Sequence, residues 1–206
     1  PEILLLDEPM SALDSRTRER MRMELSRIQK LFGTTIVQIT HHFDDVFALA
    51  NRIAIMREGR IVQVGETPEV FLHPSDTFVA EFLGIGNIIR GTSSKSGNIT
   101  QITTVDGTAF FAASGIIGDV VVTLHAEDVI LSKAPFASSA RNCLSGMVTE
   151  VIPSGSTVRV ILDVGFLLTA LLTRESCREL HLESGSRVYA TFKASAVHVI
   201  PVTSEK

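Results

Sequence analysis

An unbroken aliphatic run, Ile3-Leu4-Leu5-Leu6, stops at two adjacent carboxylates, Asp7 and Glu8. A short apolar stretch that delivers acids at its carboxyl end reads as a buried parallel strand. Parallel strands need crossover connections, so this feature commits the start of the chain to an α/β sheet, whose ligands bind at the carboxyl edge. The crossover follows at once. Asp14 and Ser15 are N-cap residues, Met21, Leu25, Ile28 and Phe32 recur at helical spacing, and Gly33 ends the helix. The β-branched run over residues 34–40 reads as the neighbouring strand, ending at His41-His42. A strand, a helix and a parallel strand place His41 beside Asp7 and Glu8 on one edge. There one carboxylate can hold a magnesium ion through water and its neighbour can polarise an attacking water. The imidazole can hydrogen-bond that water or a γ-phosphate. Asp44 and Asp45 read as helix-start charges favoured by the dipole, and His42 as an exposed neighbour.

Further on, Arg52-Ile53-Ala54-Ile55-Met56 and Arg60-Ile61-Val62-Gln63-Val64-Gly65 flank Glu58-Gly59 as a hairpin, and Thr67-Pro68 opens a short helix. The ordered set resembles the nucleotide-binding subunits of ABC transporters. Leu4-Leu5-Leu6-Asp7-Glu8 resembles the Walker B strand with its glutamate, Ser11-Ala12-Leu13-Asp14 the D-loop, and Thr40-His41 the switch histidine. The resemblance implies ATP and magnesium as cofactors. Asp7 would hold the metal, Glu8 would orient the attacking water and His41 would contact the γ-phosphate. Ser11 and Asp14 would communicate across a homodimer that sandwiches ATP. No Gly-x-x-x-x-Gly-Lys-[Ser/Thr] stretch, glutamine loop or Leu-Ser-Gly-Gly-Gln signature occurs in the 206 residues. The expectation is therefore the C-terminal part of an ATPase subunit, inactive alone and an ATPase when whole.

Composition narrows the class. A formal net charge of −4 argues against a general nucleic-acid surface. No apolar run approaches the ~20 residues of a membrane span. Cys143 and Cys177 stand far apart, with no metal-ligand spacing, and read as reduced thiols.

Near Phe82-Leu83-Gly84 the pattern changes from alternating helix and strand to short β-branched runs separated by Gly, Ser and Asn. Such spacing reads as a small β-barrel domain. Gly84-Ile85-Gly86-Asn87-Ile88-Ile89 imitates a dinucleotide fingerprint but lacks its third glycine, and reads as a linker. A second break falls at Lys133-Ala134-Pro135-Phe136. The two β-rich halves look related, since Thr123-Leu124-His125-Ala126-Glu127-Asp128-Val129 lines up with Thr191-Phe192-Lys193-Ala194-Ser195-Ala196-Val197.

The second half carries Ser138-Ser139-Ala140-Arg141-Asn142, then Thr173-Arg174-Glu175-Ser176, then Lys193-Ala194-Ser195. These motifs, in this order, resemble the molbindin-like barrel called TOBE when attached to transport ATPases. The resemblance implies oxyanion contacts from Ser139, Ala140, Arg141, Thr173, Ser176, Lys193 and Ala194. The chemistry agrees, because a tetrahedral dianion needs donors on all sides and this set holds no carboxylate. Phosphate would bring a proton with no acceptor, at a cost of roughly 1–3 kcal/mol, whereas molybdate, tungstate and sulfate would not, and size would separate sulfate from the two larger anions. A bland alternative makes Arg141 and Lys193 solvated charges and Thr173 and Ser176 caps of a short helix. His125 stands at the repeat position of Lys193, which suggests a pH-sensitive secondary contact.

The expected fold is an α/β remnant of a P-loop ATPase domain (residues 1–83) followed by an all-β, OB-like TOBE/molbindin domain (84–206), with halves 84–136 and 137–206. The expected function is the ATP-hydrolysing subunit of a molybdate/tungstate importer on the cytoplasmic face of the membrane, whose barrel inhibits transport when cytosolic oxyanion is high. Expected partners are a second ATPase subunit, transmembrane permease subunits and, indirectly, an extracytoplasmic binding protein, with no nucleic acid. Two alternatives stand beside it. One is an ATPase for sulfate, iron, a sugar or a polyamine with a structural barrel, and the other is a stand-alone oxyanion sensor.

Overall fold

The opening aliphatic run does form a strand, β1 (Ile3–Asp7), and it pairs in parallel with β2 (Thr35–Ile39), Leu5 lying opposite Val37. A computed structural model describes residues 1–202 of the chain, which divide into two compact units at Phe71/Leu72. In the first, the crossover helix α1 (Ser15–Phe32) starts where expected: the Asp14 carboxylate accepts the N–H groups of Arg16 and Thr17. It ends at Gly33 in the left-handed region (φ 63°), whose N–H reaches the Gln29 carbonyl. Strand burial departs from the expectation of a fully buried strand. Leu4, Leu6 and Ile36 are half-buried, but Ile3, Leu5, Val37 and Ile39 are exposed. Alternate side chains point to opposite faces, and one face of this two-stranded sheet is open.

Helix α2 (Phe43–Leu49) follows β2 and carries Asp44 and Asp45 in its first turn, as helix-start charges. Asp44 is exposed, whereas Asp45 is 2% exposed and takes the Arg22 guanidinium of α1 at 2.6 Å. The carboxylate raises the Arg22 pKa through that hydrogen bond. The hairpin β3 (Arg52–Arg57) and β4 (Arg60–Glu66) turns at Glu58-Gly59, both with positive φ, as a tight primed turn requires. Helix α3 (Thr67–Leu72) closes the unit, the Thr67 hydroxyl donating to the Ala50 carbonyl.

The second unit begins ahead of the composition change, with α4 (Thr77–Phe82) capped by Asp76. That helix runs straight into β5 (Asn87–Ser96): the Ile85 N–H reaches the Ala80 carbonyl and Asn87 already pairs with Leu124. The segment read as a linker is thus short, and Asn87 to Ile89 belong to a strand. One antiparallel sheet contains β5, β6 (Ile99–Thr104), β7 (Ala109–Ala112) and β8 (Gly118–Leu124), and the chain continues into β9 (Ile130–Ser132). The other contains β10 (Asn142–Ser154), β11 (Thr157–Asp163), β12 (Leu167–Thr173) and β13 (Arg187–Phe192), with helix α5 (Arg174–Glu179) after β12 and β14 (His198–Pro201) at the end.

The last strand of each half crosses over. β9 pairs with β13 of the second half, and β14 pairs with β8 of the first, giving two five-stranded sheets. Between them lies one core, which joins Ile102 and Phe110 of the first sheet to Val160, Leu168 and Phe192 of the second. The repeat seen in the sequence is real. His125 and Lys193 each precede a 3-10 turn (Ala126–Asp128 and Ala194–Ala196) that leads into the exchanged strand.

Two buried asparagines carry a part of the repeat that the sequence reading left out. Asn87 opens β5, accepts the Thr169 N–H at 2.6 Å and donates to the Thr169 and Leu124 carbonyls. Asn142 opens β10, accepts the Phe111 N–H at 2.7 Å and donates to the Phe111 carbonyl at 2.9 Å. Both targets sit on edge strands, β12 and β7, so each amide stands in for a missing neighbour strand. Four residues after each asparagine comes a glycine that lets a backbone approach. A Cβ on Gly91 would lie 2.6 Å from the Thr103 carbonyl oxygen, and one on Gly146 would lie 2.7 Å from that of Asp163.

Candidate functional site

The carboxyl edge of β1 and β2 gathers the acids and the histidines. The register Asp7↔Ile39 places the two strand ends side by side, and the Glu8 N–H donates to the Ile39 carbonyl at 3.0 Å. Glu8 has φ 44°, a left-handed conformation uncommon for a non-glycine residue, and this turns the chain out of the strand. Its carboxylate Oε1 meets His41 Nδ1 at 2.6 Å, whereas Oε2 is buried without a hydrogen-bond partner. Ser11 braces the turn, its hydroxyl and its N–H both donating to the Glu8 carbonyl. Met10, 1% exposed, anchors the same loop.

Asp7 is exposed, and among the described residues its carboxylate makes no hydrogen bond or ion pair. An open carboxylate at this edge suits magnesium, which is usually held by one or two carboxylates together with substrate phosphates. Asp14 is committed elsewhere. The Thr17 hydroxyl, above all, and the N–H groups of Thr17 and Arg16 hold its pKa below the usual carboxylate value. His42 is not the exposed neighbour expected. It is half-buried, its ring centroid 4.1 Å from that of His41 and its N–H held by the Thr40 hydroxyl. Chemically, this edge offers a carboxylate–imidazole pair whose second carboxylate oxygen is buried and unpartnered.

The residues of the second expected site fall into two groups. Arg141 and Lys193 flank the first register pair of β10 and β13, Asn142↔Phe192, so they lie at one end of the sheet. Ser139 is exposed, and the Ala140 N–H is taken by the Ser138 hydroxyl. Ala194 is buried, and its carbonyl accepts the Ala113 N–H of the first half. Thr173 and Ser176 stand elsewhere. Thr173 pairs with Thr157, at the far end of β10, and caps α5 by accepting the Ser176 N–H at 3.1 Å. The 3-10 turn after His125 packs beside β12. The motifs that follow one another along the chain are therefore parted in the fold. Arg141 and Lys193 neighbour the first half's β7, whereas Thr173 ends β12 and Ser176 lies in α5. Adjacent motifs gave no sign of this, because it follows from the antiparallel register that carries β10 through β11 to the end of β12.

Residues 138–199 match the TOBE domain family. A molybdate/tungstate import ATP-binding protein, WtpC, of Pyrococcus horikoshii is 38% identical over 202 residues, covering 98% of this chain and 57% of that protein. Its counterpart in Pyrococcus abyssi is 40% identical over 200 residues, 97% of this chain and 57% of that one. A spermidine/putrescine import ATP-binding protein, PotA, of Nitrosomonas europaea is 33% identical, covering 97% of this chain and 58% of that protein. The chain thus spans somewhat over half the length of the curated relatives it matches. Among solved structures, the cytoplasmic molybdate-binding protein ModG with molybdate bound superposes with a TM-score of 0.50 at 27% identity, covering 56% of this chain and 96% of that one.

Proposed function

We propose that this chain is part of an ATP-binding protein of an ABC importer, with its TOBE domain at residues 138–199, and that it serves ATP-driven uptake of molybdate or tungstate. The observation that carries the reading is the Glu8–His41 pair on the carboxyl edge, in a chain whose remaining length matches molybdate/tungstate importer proteins. In the assembled enzyme Glu8 would orient the attacking water, with His41 fixing the carboxylate and reaching the γ-phosphate. Asp7 is the residue that would hold magnesium. That ion, when bound, neutralises phosphate charge. Ser11 braces the Glu8 turn, and with Asp14 lies on the surface we assign to the ATPase homodimer. Permease subunits would bind the same complex at the cytoplasmic face of the membrane, fed by an extracytoplasmic binding protein. Among the described residues no helix is long and apolar enough to cross a membrane.

For the TOBE domain we assign a tetrahedral oxyanion to Arg141 and Lys193 with the backbone of Ser139, Ala140 and Ala194, and to the hydroxyls of Thr173 and Ser176. Since the two groups lie at different ends of β10, one chain's Arg141 group would be completed by another chain's Thr173 group. Such a shared site would couple cytosolic oxyanion to the dimer arrangement, and so to transport, through differential affinity for two states. The relatives named for spermidine/putrescine import support a second reading, an importer ATPase for another solute with a purely structural barrel.

Titration calorimetry of the chain with molybdate, tungstate, sulfate and phosphate separates the two. The first reading expects binding of the two large anions only, lost in Arg141→Ala. Absence of heat with all four anions refutes it and leaves the structural barrel.

A further inference from the structure

Glu8, His41 and His42 each offer one metal-ligating atom, and these atoms all lie within 4.8 Å of one another. The cluster is built by the parallel pairing of β1 and β2, which ends both strands at one level, and by two successive histidines leaving β2. Their rings face each other at 4.1 Å and 37°. A separate observation points to a ligand: Glu8 Oε2 is buried with no donor in reach, although its sister oxygen holds His41. A cation seated there would satisfy it.

We propose that Glu8, His41 and His42 form a binding site for a borderline transition-metal ion of the zinc, cobalt or nickel class. Two imidazoles and one carboxylate suit such ions far better than magnesium, which takes oxygen ligands and keeps its waters. Zinc held by nitrogen at about 2.0–2.1 Å needs its ligand atoms closer than they now stand. Side-chain rotations at this edge bring them in, for the His41 side chain is 67% exposed and that of Glu8 32%. The fourth position stays open to water. The metal would take the lone pairs that join Glu8 to His41. If Glu8 orients the attacking water, as proposed above, occupancy silences hydrolysis. Binding itself does not rest on that reading.

Cobalt(II) reports the site directly, since nitrogen-rich low-coordinate cobalt absorbs in the visible. The 206-residue chain is titrated with cobalt(II) in millimolar magnesium, then back-titrated with zinc, for wild type, His42→Ala, Glu8→Gln and His73→Ala. The last variant removes a histidine of the other imidazole pair, His73–His198. We expect one cobalt per chain, displaced by zinc, with the dissociation constant rising about tenfold or more on loss of one ligand, as in His42→Ala or Glu8→Gln. His73→Ala should match wild type. Circular dichroism identifies a variant that has unfolded, and the other ligand variant then decides. No saturable visible band, or a band indifferent to both ligand variants or lost in His73→Ala, overturns the site. ATP hydrolysis by the full-length protein is then measured with and without zinc. Cobalt binding without zinc inhibition upholds the metal site and refutes the role given to Glu8.

Discussion

Replacing Asn142 by alanine tests the idea that two side-chain amides hold the edge strands of the second unit. Asn142 is 2% exposed and spends both of its polar atoms on the Phe111 backbone. Alanine leaves that N–H and that carbonyl facing a space water enters poorly. Each stranded group costs roughly 1–3 kcal/mol, so the pair would cost about 4 kcal/mol if fully buried. Phe111 is half-buried, so water recovers part of this and about 3 kcal/mol is expected. For a unit of this size that corresponds to a fall in Tm of about 10 °C. Differential scanning calorimetry measures it, with Cys143→Ala as the neighbouring control, since Cys143 is exposed and a surface change stays within about 0.5 kcal/mol. Asn87→Ala, which breaks three such bonds, should cost at least as much. A loss below about 1 kcal/mol in Asn142→Ala refutes the reasoning, because the Phe111 groups would then have another way to be satisfied.

Gly146→Ala forces a methyl to within 2.5 Å of Val164 Cγ1 and 2.7 Å of the Asp163 carbonyl oxygen, the latter held by the pairing of Asp163 with Met147. A loss of about 1–3 kcal/mol in urea unfolding is expected. His198 is half-buried and its Nε2–H donates to the Pro74 carbonyl; burial lowers its pKa below 6.5, with the nearby His73 adding to the effect and the carbonyl opposing it. A lowered folded value means that the unfolded chain binds the proton first as pH falls. Stability is therefore complete above about pH 6.5 and is lost as pH falls through the folded pKa. His198→Gln should flatten that part of the urea midpoint profile between pH 7 and 5.

Local signals carried the sequence reading a long way. Asp14 and Gly33 bound α1 because capping is chemistry between residues a few positions apart, and Glu58-Gly59 made its hairpin for the same reason. The neighbourhood of Glu8 and His41 was legible because strand–helix–strand connections have one hand. Asp45 was not, since its identity as a buried charge depends on Arg22 across the helix pair rather than on its place near a helix start. His42 was misjudged because its half-burial depends on how neighbouring groups, the His41 ring at 4.1 Å among them, pack around it. In the second unit the repeat was visible at His125 and Lys193, but nothing local marks a strand as belonging to the other half's sheet. Arg141 and Lys193 part company with Thr173 and Ser176 for another non-local reason, the antiparallel register of β10, β11 and β12.

The crossing of β9 and β14 bears on how the molecule is made. The sheet that starts at Asn87 is completed only by the strand ending at Pro201, almost at the end of the chain. During synthesis the first half must wait, its β8 edge open, until the second half has emerged. Cutting the chain in the segment around Pro135 would not release two domains. It would leave each fragment holding a strand that fits only its sibling, so the fragments should reassociate when mixed and fail when apart.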